Sequence, residues 1–103
     1  MTLAELFAVL QGTGLPVVYR QWEAPPALPY LVYYVDDSTN FGADNQVYID
    51  HLNCVVELYN DRKHLATEAL VESAFRAADL YYEKSESWIA DERLCLVAYN
   101  INI

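Results

Sequence analysis

Basic residues are scarce in this chain: six Lys and Arg stand against fifteen Asp and Glu, a formal net charge of -9 at pH 7. Affinity for a phosphate backbone comes from Lys and Arg that release condensed counterions, so the shortage excludes an ordinary nucleic-acid binder. Glycine and proline are also few, at three and four, and 54% of the 103 residues are apolar. That composition excludes a disordered or low-complexity chain and fits one domain with a single core. Runs of about 18 apolar residues are missing, as is a charged-then-apolar start. Neither a membrane span nor a secretory signal is therefore expected, and the cytoplasm is the expected place of synthesis. Cysteine is limited to Cys54 and Cys95. Both sit in apolar runs, where a thiol packs as a small hydrophobe, and both are expected to be reduced core residues.

Motifs with chemistry are scarce too. The chain holds no GxSxG, no P-loop and no GxGxxG, and no CxxC that would build a four-ligand zinc site. His51 and Cys54 are three apart on an extended stretch, which sends them to opposite faces and denies them a shared ion. His51 is expected half-exposed on the less apolar face, and His64 in the first turn of a helix. No catalytic residue, cofactor or metal is expected, and an enzyme is not the reading.

The acids that are present are unevenly placed. Asp36, Asp37, Asp44, Asp50, Glu57 and Asp61 fall in a 26-residue window without Lys or Arg, which carries -6 of the total -9. At its start, DDSTNFGADN separates two apolar runs. As an EF-hand loop the insert fails on register: counted from Asp36, the glycine comes one position late and Val47 stands where a bidentate Glu is required. Its Asp, Ser and Asn are instead expected to bond their own backbone in a solvated loop of about ten residues.

The order of elements follows from spacing and punctuation. Thr2 and Glu5 form a capping box ahead of Leu3, Leu6, Phe7 and Leu10, which share one helical face, and Gly12 and Gly14 end that helix. Val17 to Arg20 reads as a strand, followed by a proline linker from Glu23 to Pro29. Strands are expected over Tyr30 to Val35 and Val47 to Tyr59. In the second of these Tyr48, Leu52, Cys54, Val56 and Leu58 face the core and Ile49, His51, Asn53, Val55 and Glu57 face away. Asp61 is the expected N-cap of a long helix over Arg62 to Ala78. Its Ala66, Leu70, Val71, Ala74, Ala77 and Ala78 should face the sheet, with Glu68, Glu72, Arg76 and Asp79 outward. Two strands, Leu80 to Ile89 and Arg93 to Ile101, close the chain around the turn Ala90-Asp91-Glu92. The predicted fold is α+β in the order α-β-β-β-α-β-β, a mainly antiparallel sheet of five strands with the long helix on one face.

Nine tyrosines, two tryptophans and three phenylalanines exceed what one helix on one face can cover. Tyr19, Trp22, Tyr33, Phe41, Tyr81 and Trp88 are expected exposed or half-exposed, a composition typical of protein interfaces. Phe41, alone in a polar stretch, is the strongest of these.

The phrases PYLVYYVDDSTNFGADNQVY, VVELYNDRK opening into a helix, and YYEKSESWIADERL resemble small tail-completion or head-tail joining (tail terminator-like) proteins of long-tailed bacteriophages and prophages. The resemblance spans Leu15 to the carboxyl terminus. It implies a non-enzymatic virion structural protein whose copies form a ring, commonly a hexamer. The ring would join the tail tube protein to the head connector protein, with DNA passing through its lumen without specific binding. It further implies that the Asp36 to Gln46 hairpin tip meets a neighbouring subunit or the lumen. Interface candidates are Asp36, Asp37, Asn40, Phe41, Asp44, Asn45, Trp22 and Trp88. The charge alone suggests an alternative, a small phage-encoded inhibitor that mimics DNA.

Overall fold

The computed structural model describes the backbone of residues 1–43 and 46–103, and the side chains of 1–38 and 51–103. Seven elements follow in order: α1 (Leu3–Gln11), β1 (Val17–Tyr19), β2 (Tyr30–Ala43), β3 (Gln46–Asn60), α2 (Leu65–Ala77), β4 (Tyr82–Ile89) and β5 (Leu94–Asn102). The five strands form one sheet in the order β1-β2-β3-β5-β4. The α+β class and the element order are those predicted. The sheet is mixed: β1 runs parallel to β2, while β2 with β3, β3 with β5 and β4 with β5 are antiparallel. The parallel pair is possible because the proline linker returns the chain across the sheet end before β2 starts, which a tight hairpin could not do.

At the amino terminus the capping box is formed. Glu5 N–H donates to Thr2 Oγ1 at 3.1 Å and Thr2 N–H donates to Glu5 Oε1 at 3.0 Å, satisfying two donors of the first turn. Leu6 and Leu10 are then fully buried, with Leu3 and Phe7 packed beside them.

One face of the sheet carries the core. Leu31 and Tyr33 of β2, Cys54, Val56 and Leu58 of β3, and Cys95, Val97, Tyr99 and Ile101 of β5 pack in one cluster with Leu6 and Leu10 of α1 and Val71 and Phe75 of α2. The inward set predicted for β3 is correct for Leu52, Cys54, Val56 and Leu58; the side chain of Tyr48 lies outside the described residues. Tyr33, expected at the surface, is buried at 7% exposure. Two helices, not one, cover this face, and Tyr33 lies against Phe7 of α1 with ring centroids 6.0 Å apart.

The second helix departs from its prediction in length and in phase. It starts at Leu65, and its N-cap is His64, whose ring accepts from Thr67 N–H; Asp61 stays exposed beyond a bend. The bend turns Lys63 back so that its Nζ lies 2.9 Å from the Glu68 carboxylate and 2.6 Å from Glu86. The buried face is Thr67, Glu68, Val71 and Phe75. Leu70, predicted inward, is 50% exposed, and Glu68, predicted outward, is 3% exposed. The rotation has a physical reason: Phe75 fills the space between Tyr82 and Tyr99, at 5.6 and 5.3 Å, and two lysines neutralise the carboxylate that the rotation buries.

From Asp36 to Ala43 the insert is strand, not loop. β2 continues through Asp36 to Ala43 and β3 resumes at Gln46, with Thr39 opposite His51, Asn40 opposite Asp50, Phe41 opposite Ile49 and Ala43 opposite Gln46. Asp36 is accommodated where the register shifts between Val35 and Asp37, the local twist a bulge provides. A strand needs a backbone partner more than apolar side chains, and β3 supplies one from Asp37 to Ala43, with a second register shift between Phe41 and Gly42. The candidates Asp44 and Asn45 lie outside the described residues, as do the side chains of Asn40 and Phe41.

Candidate interaction surfaces

Three surfaces emerge from this arrangement, and the first is the arm. β5 pairs with β3 from Asn53 to Asn60, and Leu52 and Ile103 exchange two further backbone hydrogen bonds. Beyond Leu52, β2 and β3 are the paired strands among the described residues, forming a two-stranded ribbon of about 20 Å on a molecule whose longest extent is 49 Å. Such a ribbon is marginal without further packing. Asp36 and Asp37 stand exposed at its root. There Asn102 Nδ2 donates to Asn53 Oδ1, and Asn53 Nδ2 donates to Asp37 Oδ1. This amide ladder borders a cleft of about 380 Å³ whose wall includes Tyr81, Glu83 and Asn100.

The second surface is the face of the sheet away from the helices. Tyr30, Val32 and Tyr34 of β2 alternate with the core residues and lie opposite Tyr59, Glu57 and Val55 of β3. Val32 and Val55 are only 6% and 8% exposed, although no helix lies over them; large neighbours shield them instead. Trp22, just ahead of the proline linker, meets Tyr30 edge-on at 5.9 Å, and Tyr30 stacks on Tyr59 at 5.2 Å. The Arg20 guanidinium lies 5.2 Å from the centre of the Tyr34 ring. In the middle, Glu57 Oε1 accepts from the Tyr59 hydroxyl at 3.0 Å. Burial, reinforced by the Glu57 charge, pushes the phenol of Tyr59 far above its ordinary range, so it remains a donor. The Trp22 indole N–H is buried with no hydrogen-bond partner, which makes this corner costly as it stands.

Of the predicted exposed aromatics, Trp22 is half-buried here, while Tyr19, Tyr81 and Trp88 are exposed. Trp88 lies at the end of β4 away from the arm and on the helix-covered face, whereas Trp22 packs on the bare face. The predicted site residues therefore do not form one patch. Sequence reasoning overlooked Tyr30, Tyr34, Tyr59 and Glu57. The signal was present in β2, where both alternating sets are apolar or aromatic, Leu31-Tyr33-Val35 and Tyr30-Val32-Tyr34, although one layer of helices can cover only one of them.

Beneath α2 lies the third feature, a polar cluster. Lys84 Nζ is 3.2 Å from Glu68 and 2.8 Å from Glu72. Glu72 also accepts from the hydroxyls of Tyr82 at 3.0 Å and Tyr99 at 2.9 Å. Together with the Lys63 contacts, these bonds turn Glu68, Glu72 and Glu86 toward partners within the chain. His51 is half-buried on the bare-face side of β3, and Cys54 and Cys95 are free thiols in the core. Burial pushes both thiols up from their ordinary range. Among the described residues, no three His, Cys, Asp or Glu side chains are grouped to hold a metal ion, and no helix is long and apolar enough to cross a membrane.

No family model and no curated protein matches the chain.

Proposed function

We propose that this chain is a structural subunit of a long-tailed phage or prophage virion. In this reading it is a tail-completion protein whose copies form a ring joining the tail tube to the head connector. One observation carries the reading: strands β2 and β3 supply two different uncovered surfaces, the aromatic bare face at one end and the two-stranded arm at the other. A ring requires a heterologous contact, in which one patch meets a different patch on the next subunit. A chain with a projecting ribbon and a separate aromatic platform has the two halves of such a contact. The likeness of its sequence phrases to joining proteins supplies the biological setting, and the net charge of -9 suits a conduit whose wall repels DNA.

The role is non-catalytic in this reading, and the protein works inside the virion at the head-tail interface after assembly in the host cytoplasm. The DNA-mimic alternative draws less support, because Glu57, Glu68, Glu72 and Glu86 are held by tyrosines and lysines of the same chain.

Deletion of the gene from its phage tests the proposal. Electron micrographs of the lysate should show filled heads and complete-length tails that are not joined, with complementation restoring joined particles. Joined, infectious particles from the deletion, or purified virions that lack the protein, would overturn it.

A further inference from the structure

β4 is the outermost strand on its side of the sheet, paired with β5 on one edge only. It is eight residues long, against three for β1 at the opposite edge, and its side chains are exposed from Glu83 to Trp88. A free edge of this length offers a row of unpaired backbone groups to another strand. Natural edges are commonly blunted by charge, but the charges here alternate in sign along YEKSESWI.

We propose that β4 pairs antiparallel with β4 of a second copy, about a two-fold axis passing at Ser85. In that register Lys84 of each copy stands opposite Glu86 of the other, Tyr82 stands opposite Trp88, and Glu83 stands opposite Ser87. Opposite charges and aromatic residues placed directly across an antiparallel pair are the stabilising kind of contact. Tyr82, Lys84, Glu86 and Trp88 lie on one face of the strand, because they pair with Ile101, Tyr99, Val97 and Cys95 of the core face. The helices of both copies then cover the same side of a continuous ten-stranded sheet, each copy contributing five strands.

Neighbouring registers are excluded by the same residues. Centring on Lys84 or on Glu86 sets like charges face to face at the axis. A shift of one residue joins the helix-covered face of one copy to the bare face of the other. Lys84 is 40% exposed and Glu86 50% exposed at their side chains, so both retain room for a second partner beside Glu68, Glu72 and Lys63. Trp88, at 58% exposed, gains cover from Tyr82 of the second copy. The contact uses neither the bare face nor the arm, so it does not rest on the ring reading.

Two single-cysteine additions to the full chain test the register. Directly opposite residues place their Cα atoms about 4.5–5.5 Å apart, within disulfide reach, whereas Ser87 of one copy lies about 14 Å along the strand from Ser87 of the other. Under mild oxidation Ser85→Cys should form a covalent dimer at least about tenfold faster than Ser87→Cys, as expected for thiols held at high effective concentration. Sedimentation of the unmodified protein should show a concentration-dependent species of twice 11.8 kDa. A protein monomeric at every concentration, or equal cross-linking of the two variants, would overturn the proposal. A ring-sized species whose Ser85→Cys form does not cross-link would also overturn it, and would leave the ring reading standing.

Discussion

Tyr99, fully buried in β5, donates its hydroxyl to Glu72 of α2 at 2.9 Å, tying the helix to the centre of the sheet through a carboxylate. Because the acceptor is charged, replacing Tyr99 by Phe should cost about 1.5–3 kcal/mol. Urea unfolding of the two proteins measures the difference, and an unchanged midpoint would mean that the hydroxyl contributes nothing.

The same carboxylate sets an acid limit. Burial raises the Glu72 pKa, but hydrogen bonds from Lys84, Tyr99 and Tyr82 outweigh it and hold the carboxyl below its ordinary value of 4.5. A depressed folded pKa contributes stability above the unfolded value, and that stability is lost as pH falls through the folded one. Melting temperature should therefore be steady above about pH 5 and decline below it. Glu72→Gln should flatten that decline. A decline of the same slope in the variant would assign the acid limit to other groups.

Leu70 and Phe75 separate the predicted helix phase from the observed one. Phe75 is fully buried, so Phe75→Ala should cost about 3–5 kcal/mol. Leu70→Ala, on the outer face, should stay within about 0.5 kcal/mol. Reversed magnitudes would restore the phase read from the alanine spacing.

Phe41 belongs to the arm, whose strands pair with each other beyond the end of β5. Phe41→Ala should leave the melting temperature of the isolated chain nearly unchanged and, on the ring reading proposed above, reduce the yield of rings seen by negative-stain electron microscopy. A large fall in melting temperature would place Phe41 among the residues that hold the fold.

Cys54 and Cys95 are core residues with raised thiol pKa values, burial being the main cause in each. A colorimetric thiol reagent should react with neither in the native protein within minutes, and with both at once in denaturant. Rapid modification of one thiol without unfolding would reveal an opening of the sheet near that residue.

Local chemistry was legible in the sequence wherever the decisive partners are near in the chain. Thr2 and Glu5 cap α1 because they are three residues apart. The alternation of Cys54, Val56 and Leu58 assigns their face because strand geometry has a period of two. The order of elements follows for the same reason. What lay beyond the sequence depended on partners far along the chain. DDSTNFGADN reads as a loop when taken alone, yet its part from Asp36 to Ala43 extends β2 because β3 offers a backbone to pair with. The alanines of α2 suggested the inward face, but the space beside Tyr82 and Tyr99, and the ammonium groups of Lys63 and Lys84, turned Phe75 and Glu68 inward. Helix phase and strand length are decided by what is available to pack against and to hydrogen-bond with, and only the folded sheet brings those groups together.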